Sequence, residues 1–460
     1  MNYETLFKAA KEKTVRAAIV GAGEFGASFI FQARRVPGLE VPAVCNRTVE
    51  KAAAAYINAG ISEDDVCVCE SETEVKKAFD RGKFIAVSDG MLLMSLPLDV
   101  IVEGTGNPEV AAEYAEAAIQ NGMHVAMVSK EADSVVGPIL FEKARKNGRV
   151  YTAVEGDQPS LLIGLITWGR TLGLNIICAG KSSEYDFIYD PDAKTMSCLE
   201  RVVQVPDLGD LWFMGDRDAK EMAKRRSTML AEIPQHAPPD LCEMGIVCNA
   251  TGMKPSIETF YAPVARINEV PEFLTTRDRG GLLEKEGVVD VFNCLRRPDE
   301  ASMSGGVFIV VECEDKASWK VLEAKGHPTN RNGSSAMIYH PVHLLGVEAP
   351  ISVLAAALLN HATGGEVLKP VCDLIGRAKT DLKAGTVLEA VGHHHVIEGV
   401  EAILVDGIKA GGGNPVPFYM MDKTELTCDV PAGAIIGCDM VSHSPDSVLW
   451  RLRAEQDSYF

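Results

Sequence analysis

The sequence predicts an α/β protein with a doubly wound parallel sheet at its N-terminus, then a mixed α+β domain and a small β-rich domain. Three observations support this. A fully apolar run at residues 17–20 opens directly into glycines, strand and helix patterns alternate up to about residue 155, and short strands punctuated by Gly and Pro follow residue 366. The expected domains are residues 1–155, 156–365 and 366–460.

The first domain reads as a series of βα units. A helical leader is expected over residues 2–13. Strand 17–20, helix 25–35, a Pro-Gly stop and strand 41–45 complete a βαβ unit. The later elements are helices 48–58, 72–81, 108–121 and 137–147 and strands 100–102, 124–128 and 149–154.

The remaining two domains have less regular patterns. Apolar strands are expected in the segments IICAG, GIVCNATG and GGVFIVVEC, and the polar stretch 184–224 is expected to be an insertion that covers the second domain. The apolar helix 351–360 should return to pack on the first domain. The segments LKAGTVLEAVG and VPAGAIIGCDMV predict two similar strand-turn-strand pieces in the third domain.

Composition excludes several classes of function. The 460 residues are 47% apolar and 24% charged with a net charge of −19, so the chain folds and offers no basic surface to nucleic acid or anionic lipid. The twelve cysteines are scattered and predict reduced thiols, in a cytoplasmic protein. A sheet in the second domain and an acidic surface favour a homo-oligomer.

The strongest motif is the G-x-G-x-x-G sequence at residues 21–26, placed between a strand and a helix as in the Rossmann fold. Gly21 permits a tight turn, Gly23 lets the backbone approach a pyrophosphate, and Gly26 lets the helix pack closely on the strand. Glu24 and Phe25 start the helix whose N-terminus stabilises phosphate charge. The alternative is a glycine-rich connection without a ligand.

The next strand end favours NADP(H) over NAD. It reads Asn46-Arg47-Thr48 and has no acid to bind the ribose hydroxyls. Arg47 can pair with a ribose phosphate and stack on adenine, while Asn46 and Thr48 donate hydrogen bonds. Alternatively, Arg47 is only a solvated residue at a helix start.

Two further strand ends should meet the redox end of the cofactor. The small residues Gly104, Thr105 and Gly106 would let the dinucleotide pass, and Lys130 ends an apolar strand where it could polarise or protonate a carbonyl. The alternative for Lys130 is an ordinary surface lysine.

Charged residues then follow at two later strand ends. Glu155, Asp157 and Gln158 crowd one turn, and Lys181 completes a group of two lysines and two acids. Such carboxylates can hold a lysine, a metal or a polar group of the substrate, and helix capping by Asp157 is the alternative. We expect Lys130, Glu155, Asp157 and Lys181 to be the catalytic set, since an alkoxide needs a cationic neighbour.

Histidines supply weaker signals. His343, in an H-x-x-H segment, and Glu348 could ligate a divalent metal, but without a third ligand we expect substrate contact, and a core histidine remains the commoner outcome. A metal requirement therefore stays open. The run His393 to His395 suggests no particular chemistry.

The motifs GAGEFG, VSKEAD and EGDQP resemble the homoserine dehydrogenase type of dinucleotide-binding oxidoreductase. The whole chain is similar to a subgroup with a C-terminal SAF (β-clip) domain, which includes the deoxyxylulose phosphate reductoisomerase-like enzymes. The similarity runs through EADSVVGP, GDQPS, AGKSS, NATG, EGVVD and PVHLLGVEAP to the tail segments 378–386 and 431–433.

This resemblance implies use of NADPH, a second domain that binds substrate and mediates subunit contact, and reduction of a small polyol or amino-acid-like carbonyl. The sequence thus predicts an NADP-dependent oxidoreductase that transfers a hydride between NADP(H) and a small polar hydroxy or carbonyl compound. In this hypothesis Lys130 is the proton donor or electrostatic stabiliser, while Glu155, Asp157 and Lys181 hold the substrate. The alternative is a catalytically silent dinucleotide sensor whose SAF domain binds a ligand or partner.

Overall fold

A seven-stranded, all-parallel sheet organises the N-terminal part of the computed structural model, which describes residues 2–8, 12–392 and 394–460. The strand order is β3-β4-β2-β1-β5-β6-β7, so the chain changes direction across the sheet between β1 and β5. In such sheets ligands bind beyond the carboxyl ends of the strands at this point. The strands are β1 Val15–Val20, β2 Leu39–Cys45, β3 Val66–Val68, β4 Phe84–Val87, β5 Val100–Glu103, β6 His124–Met127 and β7 Tyr151–Ala153.

Helices cover this sheet, and the predicted doubly wound fold is confirmed. The predicted helix 137–147 begins earlier, at Lys130, because Gly137 and Pro138 lie within the helix instead of at its start. Part of the expected leader, residues 9–11, lies outside the described residues. The helices are α1 Tyr3–Leu6, α2 Glu24–Ala33, α3 Val49–Asn58, α4 Glu72–Asp80, α5 Pro108–Gln120, α6 Lys130–Lys146 and α7 Gln158–Thr171.

A second, mixed sheet follows, with the long strand β8 near its centre. This strand pairs in parallel with β13 and antiparallel with β9 and β14, and α7 and α9 pack on it. The strands are β8 Ile176–Asp190, β9 Thr195–Cys198, β10 Arg201–Gln204, β11 Lys254–Pro255, β12 Val264–Ala265, β13 Val288–Arg296, β14 Val307–Glu312 and β15 Ser335–His340. The helices are α8 Ala219–Met229, α9 Pro238–Thr251, α10 Val270–Phe273 and α11 Lys316–Ala324.

Two predictions for this region are wrong. The segment GIVCNATG is the C-terminal half of α9 and not a strand, because an apolar run that is buried all round has no helical periodicity to read. The stretch 184–224 is not a covering insertion, since its Tyr185, Phe187 and Trp212 are buried in a core shared with Phe292. Polar residues separate these side chains in the sequence, so the sequence pattern did not predict that they form a core.

The chain then returns to the first sheet, as predicted. Helix α12, Pro350–Leu359, contacts β1, β5 and β6 and buries Val353 and Leu354 there. The C-terminal region is rich in short strands, also as predicted, and ends in a helix. Its elements are β16 Cys372–Ala378, β17 Val387–Leu388, β18 Ala390–Val391, β19 Val396–Ile397, β20 Val400–Asp406, β21 Thr424–Leu426, β22 Val441–Ser442 and α13 Val448–Tyr459. Across the described residues, no helix is both long and apolar enough to cross a bilayer.

Buried polar contacts fasten α13 to β16 of the β-rich region and to α5 and α6 of the first domain. The guanidinium of Arg453, with a side chain 1% exposed, donates to both carboxylate oxygens of Asp373 at 2.6 and 2.9 Å. Gln456 Nε2 donates to Val135 O on α6 at 3.1 Å, and Glu109 on α5 accepts from Ser447 Oγ at 2.5 Å. The position of the C-terminal region against α5 and α6 is therefore fixed.

We predict that Arg453→Met lowers the free energy of unfolding by about 3–5 kcal/mol, because Asp373 stays buried without its cation. The matched control is Arg225→Met, whose side chain is 46% exposed and, among the described residues, forms an ion pair only with Glu221 one turn away. That change should cost less than about 1 kcal/mol. Urea unfolding monitored by circular dichroism measures both, and equal losses in the two variants would contradict the role of Arg453 in holding α13 on β16.

Candidate cofactor and active site

The glycine loop after β1 has the shape that its motif predicts. Gly21 has φ +107°, and a Cβ there would overlap the carbonyl oxygen of Gly104. A Cβ on Gly26 would overlap the carbonyl oxygen of Gly21, so the start of α2 needs glycine to pack on the loop. Gly23, the N-cap of α2, has no atom within 4 Å of such a Cβ. The first and third glycines thus close the turn, and the second leaves space for a diphosphate at the helix N-terminus.

A groove of about 620 Å³ runs over this loop. Gly21, Gly23 and the turn 104–106 line it, together with Arg47 and Lys51 from the β2–α3 connection. Asn46 accepts a hydrogen bond from Ala22 N at 3.2 Å and so joins the glycine loop to the end of β2.

The loop after β2 carries the predicted ribose contacts. Thr48 is the N-cap of α3, and its carbonyl oxygen accepts from Asn46 Nδ2 at 2.9 Å. Arg47 and Lys51 are exposed and form no ion pair with any carboxylate in the described part of the chain. Their charges are therefore available to an anionic group in the groove.

The turn after β5 depends on Glu103, which the sequence did not single out. This fully buried carboxylate accepts from Thr105 N at 3.0 Å and from Thr105 Oγ1 at 2.6 Å. Burial raises the pKa of Glu103, against the lowering effect of the neighbouring Ser129 and Thr105. Gly106 N donates to Ser129 Oγ at 2.8 Å, so the turn is held from both sides.

A second cavity of about 430 Å³ continues from this turn. It shares Gly104, Gly106 and His395 with the groove, and Glu24 and Phe25 at the start of α2 also border it. A dinucleotide lying on the glycine loop would thus extend its redox end toward this cavity.

Two lysines meet one buried glutamate at the inner wall of the cavity. The Nζ atoms of Lys130 on α6 and Lys181 on β8 both contact the carboxylate of Glu243 on α9. Lys181 also pairs with Asp240 at 2.8 Å. The side chains of Lys181 and Glu243 are fully buried, whereas 23% of the Lys130 side chain is exposed. Lys130 is therefore the cation that faces the cavity.

The acids of this cluster, Asp240 and Glu243, were missed by sequence reasoning. They lie one helical turn apart on α9, a helix otherwise made mostly of small and apolar residues. Acids on a helix that is buried along almost its whole length signal a buried cation partner, and this signal becomes readable only once α9 is recognised as a helix.

The cluster fixes the ionisation of its members. Burial opposes the charge on Glu243, but Lys130 and Lys181 outweigh that effect and lower its pKa to about 2. Burial also disfavours the charge on both lysines, yet Glu243 together with Asp157 near Lys130 and Asp240 near Lys181 raises their pKa values above the usual range. All three groups therefore stay ionised near neutral pH.

The predicted acid pair of the EGDQP turn separates. Asp157 lines the cavity and caps α7 by accepting from Gln158 N at 2.9 Å. Burial raises the pKa of Asp157, against the lowering effect of Lys130. Glu155 instead lies near Glu348. Burial, and to a smaller extent the charge of Glu348, raises the pKa of Glu155 to about 7. Gly156 between them has φ +93°, which turns the two side chains apart.

Of the other predicted substrate contacts, two line the cavity and Glu348 does not. Gln158 and His343 line the cavity, and His343 Nδ1 lies 2.8 Å from Gly305 O. The carboxylate of Glu348 accepts a hydrogen bond from Leu344 N at 2.8 Å and so stabilises the turn at residues 344–348. His393 lies outside the described residues.

Three acids beside Lys181 lie close enough together to be compared with a divalent metal site. Oxygen atoms of Glu184, Asp240 and Glu243 lie within 4.8 Å of one another. However, Lys181 Nζ is 2.8 Å from Asp240, 3.6 Å from Glu184 and in contact with Glu243, so an ammonium already occupies the place of a cation. These residues do not fit a metal ion while Lys181 is there. Within the described residues, His343 joins no three-ligand group.

Comparisons with protein families agree with the two resemblances read from the sequence. Residues 21–153 match the family described as homoserine dehydrogenase, NAD binding domain. Residues 156–349 match oxidoreductase DRL, catalytic domain. An NAD(P)-binding domain joined to an oxidoreductase catalytic domain is thus confirmed. Both matches end before the β-rich region, so the SAF assignment stays a prediction.

Solved structures give weaker likenesses. Biliverdin reductase from Synechocystis, in complex with biliverdin and NADP+, is 19% identical, with 38% of this chain and 48% of that chain covered and a TM-score of 0.25. A DOX-P reductoisomerase with magnesium is 15% identical, with 50% and 57% covered and a TM-score of 0.30. An oxidoreductase from Agrobacterium radiobacter, with NAD+, L-tartaric acid and magnesium, is 13% identical, with 40% and 46% covered and a TM-score of 0.27. The chain spans about half the length of these structures, and no curated protein sequence matches it.

We predict that Gly23→Ala raises the Kd for NADPH about tenfold or more, because the added methyl group fills the space left for the diphosphate. The protein should stay folded, with a loss of less than about 1 kcal/mol, since no neighbouring atom meets the methyl group. Gly164→Ala is the control, because this exposed glycine of α7 also has open space around it and lies outside the groove. Fluorescence titration measures binding, and an unchanged Kd in Gly23→Ala would contradict the placement of the diphosphate.

Proposed function

We propose that this protein is an NADP-dependent oxidoreductase that transfers a hydride between NADP(H) and a small polar hydroxy or carbonyl compound. One observation carries the proposal. The groove over the glycine loop opens into a cavity whose inner wall presents the ammonium group of Lys130, which Glu243 keeps protonated at neutral pH. A dinucleotide sensor would not need a buried cation at the redox end of its ligand.

The chemistry assigns different roles to the two lysines. When bound, the reduced nicotinamide supplies a hydride to the carbonyl carbon, and negative charge then develops on the carbonyl oxygen. Lys130, facing the cavity, stabilises this charge and can pass a proton to the resulting alkoxide. Because its pKa is raised, Lys130 keeps its proton until the alkoxide forms, so electrostatic stabilisation is its main role.

Lys181 acts through other residues. It is fully buried and contacts Glu243 and Asp240, so we propose that it positions Glu243, which in turn positions Lys130. This role differs from the substrate contact expected from the sequence. Glu155 is likewise proposed to support its turn, whereas Asp157 remains a proposed substrate contact because it lines the cavity.

The choice of NADP over NAD is supported by the adenosine end of the groove. Arg47 and Lys51 lie there, and the β2–α3 loop offers no carboxylate to ribose hydroxyls. A phosphate on the ribose would pair with these cations.

The substrate is proposed only as a class. The cavity of about 430 Å³ suits a small molecule, and Asp157, Gln158 and His343 offer it polar groups. The match of residues 156–349 to the oxidoreductase DRL catalytic domain supports the oxidoreductase class. The reaction is proposed as homoserine dehydrogenase-like or reductoisomerase-like, as the sequence resemblance implies. A cytoplasmic location and a homo-oligomer stay predictions.

A direct assay tests the function. The purified protein is mixed with NADPH and a panel of small hydroxylated aldehydes, ketones and their phosphates, and loss of absorbance at the nicotinamide band is followed. We expect NADPH to be oxidised only when the protein and carbonyl compounds of one chemical class are both present. Tight NADPH binding without turnover on the whole panel would favour the sensor instead, and no binding of either nicotinamide nucleotide would contradict the proposal.

We predict that Lys130→Met lowers kcat/KM at least about 100-fold while the Kd for NADPH stays within about twofold. Lys143→Met is a closely matched control, because Lys143 lies on the same helix, is also 23% exposed, and pairs with Glu116 and Glu455 away from the cavity. Its kcat/KM should be unchanged. Equal activity of the two variants would show that Lys130 has no part in the reaction.

A further inference from the structure

The cofactor groove has a second wall, which comes from the C-terminal β-rich region. Residues of that region line the same groove of about 620 Å³ as the glycine loop and the β2–α3 loop. They are Glu389, Ala390, His395, Tyr419, Asp422 and Lys423. The groove is therefore incomplete without this region.

Hydrogen bonds hold the loop that carries Lys423 in an unusual conformation. Lys423 has φ +60°, a left-handed conformation that non-glycine residues rarely adopt. Its N–H donates to Leu388 O at 2.6 Å, and the neighbouring Asp422 accepts from Ala390 N at 2.9 Å. Strain of this kind persists only where the surroundings impose it, and it is concentrated at functional sites.

The second wall is fixed against the first domain. Glu109, in the first turn of α5, accepts hydrogen bonds from Ser447 Oγ at 2.5 Å and Val448 N at 2.6 Å. The adjacent residues Asn107 and Pro108 line the groove themselves. The backbone of Lys423 is thus placed at the groove before any ligand arrives, which reduces the entropic cost of binding.

The groove is lined by three cations and by two acids, Glu389 and Asp422, of which Asp422 accepts a hydrogen bond from Ala390 N. The cations point to an anionic ligand. Arg47, Lys51 and Lys423 are exposed, and none of them forms an ion pair with a carboxylate in the described ranges. The chain has 64 acids and 45 lysines and arginines, so three unpaired cations in one groove stand out from an acidic background. Two of them come from the first domain and one from the C-terminal region.

We propose that Lys423 binds the 2′-phosphate of NADP(H) from the wall opposite Arg47, so that preference for NADP over NAD is a joint property of two domains. This inference rests on the proposed use of NADP(H). It also gives the C-terminal region a role in cofactor binding.

Nucleotide titration tests the inference without any enzymatic assay. Lys423→Met is compared with Lys379→Met, which removes an exposed lysine of the same region outside the groove. Binding of NADPH and NADH is followed by fluorescence. Lys423→Met should raise the Kd for NADPH about tenfold and leave the Kd for NADH within about twofold, because only NADPH carries the 2′-phosphate. Lys379→Met should change neither, and Lys423→Arg should keep the preference.

The outcomes separate the inference from the proposed function. If the wild-type protein prefers NADPH and Lys423→Met keeps that preference, or weakens both nucleotides equally, the role of Lys423 is wrong and the proposed function stands. If the wild-type protein binds neither nucleotide, the proposed function fails and the inference fails with it. Two probes without a nicotinamide should behave in the same way. Lys423→Met should raise the Kd for adenosine 2′,5′-bisphosphate and leave the Kd for 5′-AMP nearly unchanged.

Discussion

The buried carboxylate of Glu243 is the constraint on which the site depends. It contacts two lysines that come from different parts of the fold, Lys130 on α6 of the first domain and Lys181 on β8 of the second. Buried charges are tolerated only when paired, and loss of one partner leaves the others uncompensated at a cost of several kcal/mol. The second domain therefore determines where the cation of the first domain points.

Residues 129–130 link this cluster to the glycine loop through the turn 104–106. Ser129 accepts a hydrogen bond from Gly106 N, and the next residue, Lys130, contacts Glu243. Gly104 in turn lies so close to Gly21 that no side chain fits between them. A continuous set of contacts thus runs from the glycine loop through the turn 104–106 to the lysine pair. The glycine loop and the ammonium group of Lys130 are therefore held in a fixed spatial relation.

Local patterns predicted the parts of the fold that local sequence determines. The G-x-G-x-x-G motif and the apolar strands beside it needed only neighbouring residues to be read, and the sheet and loop formed as expected. Asp240 and Glu243 escaped prediction because their partners are distant in the sequence and because the apolar end of α9 resembled a strand. Glu155 was grouped with Asp157 by spacing alone, and the turn at Gly156 separates their side chains. No local pattern marks Lys423, since its relation to Arg47 arises only when the chain returns to the first domain.

A crystal structure of the protein with NADP+ would test the central claim most directly. The account predicts the diphosphate over Gly23 and the nicotinamide ring in the cavity beside Lys130, with Lys130 still paired to Glu243. A nicotinamide ring directed away from Lys130, or a lysine pair that separates when the cofactor binds, would contradict it.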